Sequence, residues 1–310
     1  MNGGLVLNTR TKELLAVIMG NSIFGLSFLF SKTALQMTIP SVMLAVRFTT
    51  AFLVLNLIVL VSKLVSGKNF LTFSLRGKPM RYVLLLALFQ PIIYFVAESY
   101  GINYTSSAFA GTIIAVIPVA GIILDVIIMH TKVTIKQVIC AIGSVIGVIV
   151  TTIGAENMKS SMTGTLLLLI AVLAGALFYV FSKKAGEYFN PLERTYVMFG
   201  SGSVVYVLLG LIQSRGDYEE LIIKPLTSGT FWGCIIYLAI VSSVVAFLML
   251  NFGSTYVSVS EATIFANLTT VISIVAGVLI LHETFTIPQI VGAIVILISV
   301  YMASSGKNKE

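Results

Sequence analysis

Apolar residues dominate the chain in runs of about twenty, each closed by a short polar segment, with no sustained alternation of the kind a β-strand would show. A helix rises about 1.5 Å per residue, so a run of about 20 residues matches the hydrocarbon thickness of a bilayer. On that measure the pattern predicts helices over roughly 14–33, 42–61, 82–103, 107–129, 137–154, 164–182, 195–212, 231–252, 260–281 and 287–304. The expected fold class is all-α integral membrane, with ten transmembrane helices. The start of the chain has the flavour of a signal peptide, but its apolar run is long and Thr33-Ala34-Leu35 is a poor cleavage site.

The runs repeat. "HTKVTIKQVICAI" at 130–142 returns as "HETFTIPQIVGAI" at 282–294, with His, Thr, Ile, Gln, Ala and Ile in register. The same offset of 152 residues pairs Gly101 with Gly253, Tyr104 with Tyr256 and Ala110 with Ala262. An offset of 151 pairs "FSKTALQMTIP" (30–40) with "FSKKAGEYFNP" (181–191). Hydrophobic bias alone does not place His, Gln, Tyr and Pro in register, so the chain reads as two five-helix copies, 1–158 and 159–310. An odd number of spans per copy turns the second copy over relative to the first, giving two inverted five-helix repeats.

Charge agrees with inversion. With the amino terminus inside, fourteen of the 19 Lys and Arg residues fall in cytoplasmic segments, among them Arg10, Lys63, Arg76, Lys78, Arg81, Lys136, Lys183 and Arg194. Only Lys32, Lys159, Arg215 and Lys224 fall outside, and Arg47 lies within a span. That is the positive-inside pattern, with both termini cytoplasmic. The stretch 62–81 is basic, whereas its counterpart 213–230 holds two basic and three acidic residues. With 57% hydrophobic and only 10% charged residues, the chain could not keep a soluble surface wet. The net charge of +7 therefore reports topology, with the lipid bilayer as partner and no nucleic acid. Cys140 and Cys234 fall near opposite faces, so no disulfide is expected between them.

Inverted repeats suit a carrier whose midplane site opens first to one side and then to the other. No phosphate-cradling G-x-x-x-x-G-K-[ST] segment occurs, which removes nucleotide-driven transport from this chain. Acidic groups within the spans are few and dispersed, so an intramembrane enzyme is disfavoured and no catalytic residue, cofactor or metal site is expected.

The segments "SYGINYTSSAFAGTIIAVIPV" and "LHETFTIPQIVGAIVILISV", with the five-plus-five duplication, resemble the drug/metabolite transporter superfamily, EamA family. In that family each half tends to end with a small-residue and Pro-containing helix, a Glu in a short turn, then a helix opening Q-x-x-G. Here Pro118 has Thr270 as its counterpart, Glu283 has Thr131, and Gly292 has Cys140, while the Gln recurs as Gln137 and Gln289. The resemblance implies a transporter of small metabolites such as amino acids, with a layout similar to bacterial aromatic amino acid exporters and residence in the bacterial inner membrane. A homodimer is one assembly open to it. A lipid-linked sugar flippase, or an accessory subunit of one, is the alternative, although such chains are usually shorter and single-copy.

Charged groups at mid-bilayer cost roughly 2.5–3.5 kcal/mol on insertion scales, so polar residues inside spans are the candidate site. Gln90, Tyr94 and Glu98 are spaced four apart and share one helical face; their counterparts are Ser242, Ala246 and Leu250. Pro91 removes a backbone donor there and predicts a bend that exposes carbonyls to the interior. Glu98 either lines a cavity, where it is the candidate for proton coupling, or sits hydrated near the outer interface. Arg47 has three readings: a pair with Glu98, a fork for a substrate carboxylate, or snorkelling to the headgroups. Asn21 and Asn267 near mid-depth either tie helices together or line the cavity. Phe24 and Tyr179 are candidate aromatic walls. Asp125 reads as a hydrated residue near the cytoplasmic end of its span. His130 and His282 fall on opposite faces and read as a shared structural turn. Gly143 and Gly147, with "FGSGS" at 199–203, are expected to be close helix contacts.

Overall fold

A computed structural model describes residues 9–66, 74–129, 134–153, 158–250 and 259–304, and all the regular structure among them is helical. The helices are α1 (Thr9–Ala34), α2 (Pro40–Ser66), α3 (Met80–Tyr104), α4 (Ser107–Ile114 continued by Ile117–Met129), α5 (Ile135–Ile153), α6 (Met158–Gly186), α7 (Pro191–Gln213), α8 (Gly229–Leu250), α9 (Val259–Leu279) and α10 (Ile287–Ser304). A short helical stretch at 219–227 connects α7 to α8.

Of the ten expected spans, six are met in full: α1, α2, α3, α6, α7 and α8 each contain an apolar segment of 20 to 25 residues. The apolar stretches described in α4, α5, α9 and α10 are shorter, at 10–17 residues. In α4, Pro118 has no N–H to offer the Ile114 carbonyl, and the helix breaks at 115–116 before it resumes. Lipid-facing surface is nonetheless plain on α5 and α10: Ile135, Ile139, Ile142, Ile146 and Ile149 are exposed along one face, and Ile287, Ile290, Ile294 and Ile298 along another. Such long exposed apolar stripes suit lipid, not water.

The opposite faces of those helices carry small residues and meet each other. A Cβ on Gly143 would fall on Ser299, one on Gly147 on Ile296, and one on Gly292 on Thr151. As α5 numbering rises its partners fall, so α5 and α10 run antiparallel. The same holds for α2 and α7, where Gly210 lies against Val42, Thr49 Oγ1 is 2.8 Å from Ser203 Oγ, Gly200 lies against Phe52, and Tyr196 donates to Asn56 at 3.0 Å. It also holds for α4 and α9, with Gly111 against Thr270 and Ser273, and Gly277 against Ser107. At the repeat offset, each of these is a helix packed on its own counterpart. Small-residue contacts of this kind are how helices associate where hydrophobicity offers no driving force. The glycines expected as contacts are contacts: Gly147 meets the Gly292 carbonyl, and Gly202 of "FGSGS" faces Pro91.

The connections are tied down by caps. Asn190 and Glu193 form a reciprocal capping box at the start of α7, with Pro191 in its first turn. Glu193 is 1% exposed and also accepts from the Ser74 N–H at 2.8 Å and from Lys78 Nζ at 2.5 Å, which fastens the α2–α3 connection to α7.

Candidate functional site

α3 is where the sequence departs most from regular helix. Pro91 cannot donate, Gln90 takes φ −143° and ψ 118°, and the backbone over Leu88–Ile93 is wound wide. The buried Tyr206 hydroxyl of α7 donates to the carbonyls just past the proline, those of Pro91 (2.8 Å) and Ile92 (2.9 Å), and so ties the distorted turn to α7. Gly202 stands one turn before Tyr206; a Cβ there would sit 2.9 Å from Pro91 Cγ. The expected bend is present, but its carbonyls point at α7 and not into open space.

Below the break, Tyr94 donates to Glu98 Oε1 at 2.9 Å, joining two members of the polar stripe. Both are buried, as is Gln90. Neither the Gln90 side chain nor Glu98 Oε2 has a protein hydrogen bond among the described residues.

α8 is wound wide at the corresponding place, Tyr237–Val245, although it has no proline. Its Ser242 and Ser243 accept from Arg47 of α2, at 3.2 Å to Nη2 and 3.0 Å to Nε. Arg47 is fully buried, with its guanidinium carbon 4.5 Å from the centre of the Phe95 ring and 5.5 Å from that of Phe48. Its Nη1 has no partner among the described residues. Arg47 therefore does not snorkel and makes no contact ion pair with Glu98, although the two charges act on each other at a distance: it crosses from one half to grip the wide-wound helix of the other.

A cavity of about 80 Å³ opens beside the stripe. Its walls come from α1, α3 and α4 and from their counterparts α6, α8 and α9. It is lined by Asn21, Phe24, Gln90, Tyr94, Glu98 and Tyr179, all singled out in the sequence. Arg47 is not on its wall, so the fork for a substrate carboxylate is not presented to the cavity. The side chain of Asn267 lies outside the described residues, as do those of Asp125 and Gln137. In the neighbouring turn of α9, Thr269 Oγ1 donates to the Asn21 carbonyl at 2.9 Å and Thr270 Oγ1 to that of Gly111 at 2.9 Å. Thr270, standing where the first copy has Pro118, thus bonds α9 to α4.

Sequence reasoning missed the aromatic hub of the cavity. Phe247 lies 5.2 Å from Phe24, 6.2 Å from Phe95 and 6.4 Å from Phe178, ring centre to ring centre. The signal that could have found it is the repeat itself, because Phe247 is Phe95 displaced by 152 residues. Phe48 and Phe199, related by 151, likewise meet edge to face at 5.4 Å.

One end of the α3–α4 hairpin is clamped. Lys32 Nζ donates to the carbonyls of Ile102 (2.9 Å) and Thr105 at the end of α3. Glu283 accepts from the N–H groups of Ser107 (2.7 Å) and Ala108 (3.0 Å) and from Ser107 Oγ (2.9 Å) at the start of α4. A cation at a helix C-terminus and a carboxylate at an N-terminus each oppose the helix dipole and satisfy orphan backbone groups. The turn that delivers Glu283 is left-handed at His282 (φ 53°), and the Glu283 N–H closes on the Gly277 carbonyl at 3.0 Å. That assigns His282 the structural role expected; His130 and Thr131 lie outside the described residues. No group of three or more His, Cys, Asp or Glu able to hold a metal occurs among the described residues.

The chain is similar to known proteins along its whole length. The model of the EamA-like transporter family matches it twice, over residues 11–153 and 162–305. The "Uncharacterized transporter YcxC" of Bacillus subtilis (strain 168) is 30% identical over 310 residues, covering 99% of this chain and 97% of that protein. An "Uncharacterized transporter" of Archaeoglobus fulgidus is 24% identical, covering 94% and 98%. A solved crystal structure superposes with a TM-score of 0.63 at 15% identity, covering 95% of this chain and 97% of that one, which shows a shared fold. Duplicated apolar helices around a polar-striped cavity, and a family model that matches both halves, lead to one assignment: the chain is a multi-pass membrane protein and belongs to the EamA-like transporter family.

Proposed function

We propose that the protein is a secondary active transporter that moves a small amphipathic metabolite, such as an amino acid, outward by alternating access. Its working parts are two inverted five-helix halves, 1–158 and 159–310, with ten spans in all and both termini cytoplasmic in the bacterial inner membrane. The observation that carries this reading is the antiparallel packing of α2 on α7, α4 on α9 and α5 on α10, around a cavity walled by three helices from each half. Counterpart helices that pack head to tail are what a pseudo-two-fold axis in the membrane plane produces, and the Phe48–Phe199 contact supports the same axis. Glu98 is the carboxylate placed to couple a proton to cargo movement.

Two experiments test this. In proteoliposomes, saturable uptake and counterflow are expected for at least one compound of a metabolite panel containing amino acids and amines; none for any compound overturns the reading. Single cysteines at Phe70 and Glu220 are expected to label from opposite sides of the membrane, and labelling from one side removes the inversion. Lipid-linked sugars are expected not to compete for flux.

A further inference from the structure

The cavity wall is asymmetric in charge. Glu98 is the one ionisable carboxylate among the described lining residues, and no lysine, arginine or histidine is among them. Glu98 Oε1 is held by Tyr94, and Oε2 has no donor among the described residues. Gln90 adds a side chain with no partner among the described residues, and Phe24, Phe28, Tyr94, Tyr179 and Phe247 add aromatic faces. The nearest guanidinium, Arg47, is fully buried behind Phe95 and off the cavity wall; it donates through Nε and Nη2 to Ser243 and Ser242, and its charge acts on Glu98 only at a distance.

These observations set the cargo's chemistry. A carboxylate entering the cavity would meet another carboxylate and no cationic side chain among the described wall residues, and an unpaired buried charge costs several kcal/mol. An ammonium group would meet an acceptor with a free oxygen, plus aromatic faces that attract cations by their quadrupoles. Size narrows the class further. About 80 Å³ is well under the roughly 150 Å³ of an apolar cavity that takes up benzene, so the pocket suits a cationic head and a few carbons.

From this we infer that the cavity selects a compact organic amine, read by Glu98 with Gln90 beside it, and disfavours cargo bearing a free carboxylate. The inference rests on the transport reading and narrows its cargo: of the amphipathic metabolites open to that reading, decarboxylated amines fit and free amino acids fit poorly.

The test uses three ligands with one branched carbon body and different charge: isobutylamine, valine and 3-methylbutanoate. Their binding to the full chain in nanodiscs is measured by calorimetry. Isobutylamine is expected to bind at least about 10-fold more tightly than either of the others, the ratio a charge-assisted hydrogen bond supplies. Glu98→Gln is expected to remove that preference and Glu98→Asp to keep the order. Equal or tighter binding of valine or the butanoate, binding of none of the three, or an amine affinity untouched by Glu98→Gln each overturns the inference. The ranking on the unmodified protein requires no variant to fold. Proteoliposome flux separates the two readings: valine carried in preference to the amine ends this inference and leaves the transporter, whereas amine selectivity with no flux for any compound does the reverse.

Discussion

α3 and α8 are the same helix twice, 152 residues apart, and both are wound wide at the same depth. In α3 a proline forces the distortion, and a tyrosine from α7 donates to the carbonyls just past it. In α8 no proline is present, and the two serines at the distortion accept from a buried arginine of the other half. The backbone feature is common to the two halves while its chemistry has been divided. One copy presents Gln90, Tyr94 and Glu98 to the cavity; the other has Ser242, Ala246 and Leu250 and serves as an anchor for Arg47. Duplication supplies paired geometry, and an asymmetric cargo needs only one of the pair to carry polar groups.

This contrast can be broken in graded steps. Replacing both Ser242 and Ser243 by Ala leaves the Arg47 guanidinium buried without acceptors, and a loss of about 3–5 kcal/mol of stability is expected. Thermal unfolding in detergent checks it, and adding Arg47→Met is expected to recover most of the loss; a double substitution as stable as the parent would mean that α8 is no anchor. Next comes Glu98→Gln, for which saturable flux is expected to fall by about 10- to 100-fold with its pH dependence abolished. Flux with an unchanged pH profile would remove Glu98 from proton coupling. Tyr206→Phe removes the hydroxyl that donates to the Pro91 and Ile92 carbonyls and is expected to cost about 1 kcal/mol in the same unfolding assay. The smallest effect is reserved for Ser99→Ala. Ser99 stands beside Glu98 but its buried hydroxyl has no partner among the described residues, so stability is expected to stay within about 0.5 kcal/mol and flux to be unchanged. A large loss there would show that polar residues of α3 outside the stripe also matter.

The clamp on the α3–α4 hairpin makes a second asymmetry. Glu283 reaches from the α9–α10 turn of one half to cap a helix of the other, and Gly277 is the reason it fits: a Cβ there would collide with the Glu283 carboxylate and with Ser107 Oγ. Its counterpart at the repeat offset is Thr131, which has no charge to offer a helix end. The family resemblance picked out Glu283 as a turn residue, and the structure supplies what it bonds to.

What could be read from the chain followed from periodicity and register. Apolar runs of about twenty residues, the 151–152 offset and the charge swap between 62–81 and 213–230 each depend on neighbours in sequence or on a direct comparison of two stretches. The stripe Gln90–Tyr94–Glu98 was legible for the same reason, since four-residue spacing fixes a helical face whatever surrounds it. Two things were not legible. Arg47 offered three partners to a reader of the sequence and gave its hydrogen bonds to two serines that were not among them, because its place is decided by where α8 crosses α2. Phe247, one phenylalanine among 19, became the centre of the cavity's aromatic wall only when α1, α3, α6 and α8 converged on it.

The sequence by itself determined that this is a duplicated bundle of apolar helices, because hydropathy and repeat register are properties of order along the chain. Which side chains face one another was decided only by the tertiary structure. A contact such as Arg47–Ser243 spans 196 residues and depends on the crossing of two helices, which no local pattern encodes.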